Sequence, residues 1–373
     1  MSINVRSPVS ALLAVLACTA LFMTACGDDD EPDSEGAASS DGGGGAEVVD
    51  QPFLLSSSFG IYFLPIQIAH DQGYFEDEGM KLDVQETDGS SFVTQQIIAG
   101  NAEFGVAGAP TDIIAYSKDP NVRALSCIES QSIFSIYVPA DSDIQDVTQL
   151  DGKKLGINER GGGEEPMVTA VIAENDLDTE VVPVGQETAS IVRALQDGQV
   201  AAFSSSIGTR TSIEAEIELR DITPDKYVAT PGDCLITTAD VLKEKPEIAS
   251  GIARAILKGM YFAFADPEAA LAIGCKIAPE QCEGQQGYAQ ALADKMMTLM
   301  QPTDPSGVPS QIEPPGWELS RDLLVQTGTL EEPVEIDDLI ASAEVAAVEE
   351  TAFADVETLK AEAEEDAANY QAE

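Results

Sequence analysis

Short segments of strand character alternate with short helical segments along most of the chain after residue 50. The segment QPFLLSSSFG (51–60) reads as a strand and a polar loop, KLDVQET (81–87) alternates as a strand does, and EFGVA (103–107) is apolar enough for a buried strand. Helical segments lie between them, and Gly73 and Gly100 stand where two of these helices should end. Strands that alternate with helices through short loops indicate βαβ units, so the sequence predicts an α/β fold with largely parallel sheets.

The alternation falls into two stretches that separate near residue 133. Residues 133–138 have strand character and lead into a second set of strands and helices, after which 227–237 looks like a return strand. From Pro246, which suits a first helical turn, the chain is mainly helical. A mature chain of roughly 350 residues suits two domains. The expected divisions are lobe 1 at 51–133 and 228–330, lobe 2 at 134–227, and an acidic C-terminal helical extension at 331–373.

An abrupt change in composition lies at Cys26. One basic residue precedes an apolar run (9–25), and the segment after the cysteine, GDDDEPDSEGAASSDGGGG, is too polar to bury. A basic start, an apolar centre and small residues at the end are typical of an export signal. The residues MTAC that end at Cys26 resemble the lipobox of bacterial lipoproteins, in which the cysteine carries the lipid. We expect a signal peptide at 1–25 and a lipidated, flexible acidic linker at 26–50. The alternatives are a plain signal peptide, an uncleaved anchor, or a cut at Cys18.

The chain is strongly acidic. It has 66 acidic and 19 basic residues and a formal net charge of −47, so a nucleic acid, whose phosphates it would repel, is excluded as a natural partner. A small anionic ligand is not excluded, because the charge of a pocket need not follow the total charge. The acid is spread along the whole chain, which is typical of a solvated surface. No apolar run of about 20 residues follows the N-terminal one, so we expect no further membrane span.

Four cysteines remain when the two near the N-terminus are set aside. An even number of cysteines in an exported chain predicts disulfides. Cys275 and Cys282 bracket a short loop between helical segments, and Cys127 and Cys234 both fall at connections of lobe 1, so we expect these two pairs. Metal binding is the rival interpretation, but His70 is the one histidine and the chain has no CxxC motif. We therefore expect neither a metal site nor a cofactor.

Several motifs in a fixed order resemble a known family. They are GYFEDEG (73–79), AGNAEFGVAG (99–108), LDGKKLGI (150–157) and ALQDGQVAA (194–202). In this order and spacing they resemble the substrate-binding components of ABC importers, and more narrowly the nitrate/sulfonate/taurine and thiamine-pyrimidine-precursor group. The resemblance covers most of residues 51–328.

That resemblance implies a two-lobed type II periplasmic-binding-protein fold with mainly parallel sheets and C-terminal helices. The implied function is the extracytoplasmic capture of a small polar solute by hinge closure, for delivery to the permease and ATPase subunits of an ABC importer. The implied protein is an exported monomer that reaches the membrane only through its lipid. Eukaryotic thiamine-pyrimidine synthases share the fold and resemble the chain in outline. They use an active-site histidine and a cysteine-rich iron motif, which the sequence does not supply, so we expect no enzyme activity.

Ligands of such lobes bind beyond the carboxyl ends of the strands, in the crevice between the lobes. The loops there offer hydroxyls, aromatic faces and small residues but no lysine or arginine. We therefore favour a heterocycle such as a thiamine-precursor pyrimidine over nitrate, taurine or an alkanesulfonate. Ser90 or Ser91 could instead cap a helix, and Glu164 could either accept hydrogen bonds from a ligand amine or favour a helix dipole. The expected ligand-binding residues are Phe59, Tyr62, Ser90, Ser91, Ala109, Pro110, Ser130, Gln131, Gly162, Gly163, Glu164, Ser205 and Ser206.

Overall fold

The computed structural model describes residues 48–160 and 163–371. The predicted signal peptide, the lipidation site at Cys26 and nearly all of the predicted linker lie outside the described residues. The first strand begins at Val49, two residues before the expected start of lobe 1.

Ten strands form two five-stranded sheets within the described part of the chain. Their bounds are β1 (Val49–Leu55), β2 (Met80–Glu86), β3 (Phe104–Gly108), β4 (Val122–Cys127), β5 (Phe134–Pro139), β6 (Lys154–Ile157), β7 (Glu180–Pro183), β8 (Ala202–Ser206), β9 (Leu219–Asp221) and β10 (Asp233–Thr238).

Each sheet contains one strand that runs against the other four. The first sheet has the order β2-β1-β3-β10-β4, in which β1 is parallel to β2 and β3 while β10 is antiparallel to β3 and β4. The second has the order β7-β6-β8-β5-β9, in which β6 is parallel to β7 and β8 while β5 is antiparallel to β8 and β9. The α/β prediction is confirmed, and both sheets are mixed because β5 and β10 are the strands through which the chain changes sheets.

The helices cover both faces of these sheets, which buries the apolar strands as in other α/β folds. Their bounds are α1 (Leu64–Asp71), α2 (Tyr74–Asp77), α3 (Ser90–Ile98), α4 (Ala109–Lys118), α5 (Glu165–Glu174), α6 (Thr188–Gln196), α7 (Ile207–Glu214), α8 (Asp225–Val228), α9 (Ala239–Glu244), α10 (Pro246–Ala265), α11 (Pro267–Ile277), α12 (Gln286–Leu299), α13 (Pro314–Gln326), α14 (Asp337–Ile340), α15 (Ala343–Ala352) and α16 (Val356–Asn369). Gly73 follows the end of α1 and has a left-handed conformation (φ 75°), which glycine adopts without steric cost.

Helix α10 is the central helix of the first lobe. It packs on α1, α15 and α16, and Ile252, Ile256 and Phe262 are fully or almost fully buried. Among the described residues it is the one helix that is long and apolar enough to cross a membrane, with a mean hydropathy of 1.2, and 72% of that apolar stretch is buried in the fold.

The acidic C-terminal residues are part of this packing. Val345, Val348 and Ala363 are buried within the same apolar cluster as α10. The Lys258 ammonium of α10 pairs with the carboxylates of Glu362 (3.2 Å) and Asp366 (3.3 Å) on α16. These helices therefore cover the outer face of α10 with apolar residues on one side and keep their acids towards solvent and Lys258.

Helix α13 contacts both lobes. It packs on α4 of the first lobe and on α5 of the second. Trp317 and Leu324 belong to the apolar cluster beneath the first sheet, whereas Leu323 belongs to the cluster of the second. One helix thus contributes buried side chains to the cores of both lobes.

Candidate functional site

Two segments of chain connect the sheets, at 128–133 and 222–232. They lie side by side and are hydrogen-bonded to each other, since Ser132 N–H donates to the Val228 carbonyl (2.9 Å) and Gly232 N–H donates to the Glu129 carbonyl (2.9 Å). Paired crossings of this kind allow two lobes to rotate about them as a hinge.

A cavity of about 530 Å³ lies beside these crossings, a size in the usual range for small-molecule sites. Both lobes and α13 contribute to its wall. Its lining residues are Ser90, Ser91, Gly108, Pro110, Thr111, Ile114, Ser132, Ile133, Phe134, Gly163, Glu165, Pro166, Thr169, Thr230, Pro231, Gly232, Asp233, Leu324, Thr327 and Thr329.

Four of the expected ligand-binding residues line this cavity, namely Ser90, Ser91, Pro110 and Gly163. Ser90 Oγ accepts a hydrogen bond from Gly108 N–H (3.0 Å), which ties the start of α3 to the end of β3. Neither Ser90 nor Ser91 occupies the N-cap position, which Gly89 takes without a side-chain capping bond. The capping alternative is therefore not what the structure shows for these two serines.

Phe59 and Tyr62 are not among the residues that line the cavity. The Phe59 ring packs edge-on to His70 with ring centroids 6.2 Å apart, and the Tyr62 ring packs edge-on to Phe63 at 5.1 Å. The Tyr62 hydroxyl is buried without a hydrogen-bond partner. Burial together with the charges of Asp233 and Glu129 raises its pKa.

Ala109, Ser130 and Gln131 also stand back from the cavity lining. Ala109 is fully buried at the start of α4, where its N–H donates to the Gly232 carbonyl (3.0 Å). Ser130 is 6% exposed, and its hydroxyl lacks a partner. The neighbouring Ser132 and Phe134 reach the cavity instead.

Glu164 is not among the lining residues, and its carboxylate is bound by the backbone of its own lobe. Its Oε1 accepts a hydrogen bond from Asn158 N–H (2.8 Å), and burial raises the pKa of the carboxyl group. The adjacent Glu165 lines the cavity and pairs with Arg160 at 2.7 Å. Gly162 lies outside the described residues.

Ser205 and Ser206 belong to the interior of the second lobe and its strand end. Ser205 is fully buried, and its hydroxyl is 2.8 Å from the Tyr137 hydroxyl. Ser206 is half-buried at the end of β8. Because side chains alternate between the faces of a strand, a run of three serines necessarily directs some of them away from any one surface.

Three buried acids beside the cavity were not among the expected ligand-binding residues. Asp112, Glu129 and Asp233, here called the carboxyl cluster, are 0%, 0% and 4% exposed. Glu129 Oε2 accepts a hydrogen bond from Asp233 N–H (2.8 Å), and Asp233 Oδ2 accepts one from the Ser56 hydroxyl (2.9 Å). Both oxygens of Asp112 and Oε1 of Glu129 have no hydrogen-bond partner.

Burial is the main cause of the raised pKa values in the carboxyl cluster, because it disfavours a charged carboxylate. It raises the pKa of Asp233 to about 6. It also raises those of Asp112 and Glu129, and the charge of Asp233 raises both further.

The disulfide Cys127–Cys234 holds the strand ends next to this cluster. The two residues face each other in the β4/β10 pair, with Cα atoms 3.8 Å apart. Cys127 lies just before Glu129 in sequence, and Cys234 directly follows Asp233. The second disulfide, Cys275–Cys282, closes the loop between α11 and α12. Both are the pairs expected from the sequence. Among residues 48–160 and 163–371, no group of three or more His, Cys, Asp or Glu side chains is arranged to hold a metal ion.

Curated relatives include enzymes. A 4-amino-5-hydroxymethyl-2-methylpyrimidine phosphate synthase of Uromyces fabae is 24% identical over 237 residues, which covers 58% of this chain and 68% of the relative. The expectation that the chain has no enzyme activity is therefore contradicted, because several curated relatives carry the name of a synthase, while others are named putative binding proteins.

Solved structures with the same fold include periplasmic binding proteins. The aliphatic sulphonate-binding protein SsuA from Escherichia coli is similar with a TM-score of 0.61 and 13% identity, over 79% of this chain and 92% of that one. The nitrate-binding protein NrtA from Synechocystis PCC 6803 is similar with a TM-score of 0.53 and 13% identity, over 85% and 89%. These similarities confirm the periplasmic-binding-protein fold. The family model described as NMT1/THI5 like matches residues 61–270, so the chain belongs to the NMT1/THI5-like family.

Proposed function

We propose that the protein is the extracytoplasmic solute-binding component of an ABC importer, held at the membrane by a lipid on Cys26. The observation that carries this proposal is the cavity that both lobes and α13 line, next to the two hydrogen-bonded crossings. A ligand in this position touches both lobes, and it therefore favours the arrangement in which they are close together.

Closure is the signal that such a protein would give to its permease. Contacts to Ser90 and Pro110 belong to the first lobe, and contacts to Phe134 and Gly163 belong to the second. A solute gains both sets only when the lobes meet, so its binding free energy is what shifts the population towards the closed form.

The solute that this wall suits is small and polar, with a flat face. Hydroxyl groups of Ser91, Thr111 and Thr169 and the aromatic ring of Phe134 line the cavity. None of the described lining residues is lysine, arginine or histidine. This composition favours a heterocycle such as a thiamine-precursor pyrimidine over nitrate or a sulfonate, because such anions are usually bound by cationic side chains or clusters of N–H donors.

A second candidate function is synthesis of a pyrimidine phosphate, which the names of the curated relatives favour. For this function the acid–base groups beside the cavity would be the carboxyl cluster, since His70 lies on α1 against Phe59 and is not among the lining residues. Complementation of a strain that cannot make 4-amino-5-hydroxymethyl-2-methylpyrimidine phosphate tests it. Growth without added pyrimidine would establish the activity.

Thermal unfolding of the purified protein tests the transport proposal. Pyrimidines, riboflavin, nitrate, taurine and alkanesulfonates are added one at a time, because a ligand that binds only the folded state raises its stability by RT ln(1 + [L]/Kd). We expect at least one to raise the melting temperature, and deletion of the protein in its host to reduce uptake of that compound. Uptake that is unchanged in the deletion strain would contradict the role in import.

A further inference from the structure

The carboxyl cluster lies beside the cavity, and one of its three members is a lining residue. Asp233 lines the cavity directly, at the end of the second crossing. Asp112 stands in the first turn of α4, where its neighbours Pro110 and Thr111 line the cavity. A Cβ atom on Gly108, another lining residue, would lie 3.4 Å from Asp233 Oδ1 and 3.6 Å from Ser90 Oγ, so these two polar groups meet at one spot of the wall.

The cluster has hydrogen-bonding capacity that the described protein does not use. Both Asp112 oxygens and Glu129 Oε1 are buried without a hydrogen-bond partner. The hydroxyls of Tyr62 and Ser130 are also buried without one. A buried polar group that lacks a partner is costly. These oxygens belong to residues that adjoin Asp233 and not to lining residues, so Asp233 is the group through which a solute in the cavity would meet this cluster.

The buried acids of the cluster also lack basic side chains that would balance their charge. The charged residues that act on Asp112 and Glu129 include the acid Asp233 and no basic side chain. Arg160, which pairs with the lining residue Glu165, also donates to the Val181 carbonyl. Buried carboxylates without a cation take up protons or bind a cation.

The geometry distinguishes between two kinds of cation. A bound metal ion needs three or more ligating side chains that converge on one point, and the described residues have no such group of His, Cys, Asp or Glu. An organic cation needs room and carboxylate oxygens that accept N–H bonds, and the cavity supplies both.

We propose that the solute carries a cationic nitrogen, as an ammonium, amidinium or protonated aminopyrimidine group, which donates hydrogen bonds to Asp233 in the cavity wall, next to the buried acids Asp112 and Glu129. This inference rests on the proposed solute-binding function and specifies its substrate class. Ser91, Thr111 and Phe134 then contact the uncharged part of the solute, and Glu164 takes no part.

Calorimetry with matched probes tests the inference. Benzamidine, benzamide and benzoate have the same ring and nearly the same shape but are cationic, neutral and anionic, and 4-amino-2-methylpyrimidine with its 4-hydroxy counterpart forms a second set. Nitrate and ethanesulfonate represent the anions. The variants are Asp233→Asn and Asp112→Asn, and Glu349→Gln is the control because its partly buried carboxyl on α15 also has a raised pKa but lies outside the cavity lining.

We expect wild-type protein to bind the cationic or amino member of at least one set more tightly than its neutral and anionic counterparts. Asp233→Asn should weaken that binding by about tenfold or more, because a hydrogen bond to a charged acceptor is lost. Asp112→Asn should weaken it by a smaller factor, since Asp112 does not line the cavity, and Glu349→Gln should leave it unchanged. Circular dichroism and the melting temperature establish that the variants are folded.

Two results would overturn the inference and leave the transport proposal standing: preferential binding of nitrate or ethanesulfonate, or amine binding that Asp233→Asn does not change. Failure of every probe to bind wild-type protein would count against the inference and the proposed function together.

Discussion

The backbone N–H of Asp233 donates a 2.8 Å hydrogen bond to the carboxylate of Glu129, which lies 104 residues earlier in the chain. The two segments meet again through Ile128 N–H and the Asp233 carbonyl (2.7 Å) and through Gly232 N–H and the Glu129 carbonyl (2.9 Å). Glu129 therefore fixes the end of one crossing against the other and sets the position of Asp233 in the cavity wall.

Loss of the Glu129 acceptor should destabilise the fold. Glu129→Ala should lower the free energy of unfolding by about 1–3 kcal/mol, because the Asp233 N–H is then buried without an acceptor. Glu129→Gln keeps an acceptor oxygen and removes a buried charge, so its loss should be smaller. Urea denaturation of both variants at pH 7 measures the difference, and equal losses would contradict the role given to the bond.

The pH dependence of stability follows from Asp233. Its pKa is raised from 3.8 to about 6, so the folded chain holds this proton more tightly than the unfolded chain does. The stability it contributes is full below about pH 4 and is lost as the pH rises through 6. Each tenfold change in proton affinity is worth about 1.4 kcal/mol, so the loss is about 3 kcal/mol.

The melting temperature of wild-type protein without solute should therefore rise more between pH 7.5 and pH 5 than that of Asp233→Asn. Glu349→Gln provides the comparison, since the pKa of Glu349 is also raised, to about 7, and part of the slope belongs to it. A slope that Asp233→Asn leaves intact would be inconsistent with the buried acid. Affinity for a cationic solute should depend on pH in the opposite direction. It should increase as the pH rises through 6, because the Asp233 carboxyl is then ionised.

The two disulfides should differ in their effect on stability. Cys127 and Cys234 are 107 residues apart, whereas Cys275 and Cys282 are 7 apart. In the chain-entropy model a longer closed loop restricts the unfolded chain more, by about 5 kcal/mol for the first pair and about 2 kcal/mol for the second.

Replacing the pair Cys127 and Cys234 by serines should thus lower the melting temperature more than the same change at Cys275 and Cys282. Thiol labelling with and without reductant, read by mass spectrometry, should find no free thiol at these four positions before reduction. Labelling of Cys127 in unreduced native protein would show that the first bridge is not formed.

Lipidation at Cys26 is a prediction from the sequence. Cys26→Ala should move the protein from the membrane fraction to the soluble fraction, because several acyl chains give stable anchoring and their loss removes it. Cell fractionation with immunoblotting measures this, and Cys18→Ala is the matched control for the competing cut. Unchanged membrane retention of Cys26→Ala would be evidence against the anchor.

Removal of residues 343–373 should expose the outer face of α10. Val345, Val348 and Ala363 would no longer cover it, and an uncovered apolar helix face promotes aggregation. Size-exclusion chromatography should show higher-order species for the truncated protein. A monodisperse truncated protein with the wild-type melting temperature would mean that these helices add no stability.

Local signals predicted much of the fold. Gly73 marks the end of α1 through a positive φ that glycine adopts freely, and the alternation of β1, α1, β2 and α3 follows from short-range periodicity. The mixed character of the sheets does not follow from such signals, because β5 and β10 are mostly buried, as their neighbours β8 and β3 are. Their direction is decided by which lobe the chain enters next.

Less of the candidate site could be predicted from the sequence. Asp112, Glu129 and Asp233 are three of 66 acidic residues, and only the tertiary fold distinguishes them from acids on the surface. Ser205 was expected at the site because it ends a strand, but one position along a strand reverses the direction of a side chain. Ser90 and Pro110 could be predicted from the sequence, because each stands at the start of a helix that follows a strand. Such a position lies at the edge of the sheet, whichever face the helix then covers.

Helix α13 places Trp317 in the apolar cluster of the first lobe and Leu323 in that of the second. A rotation that separates the lobes while α13 stays with one of them would move one of these side chains into water, and exposing a leucine costs about 2 kcal/mol. The packing of α13 therefore adds a factor of roughly thirty in favour of the closed arrangement, in the same direction as a bound solute. Leu323→Ala should accordingly weaken solute binding, and calorimetry of that variant measures the change.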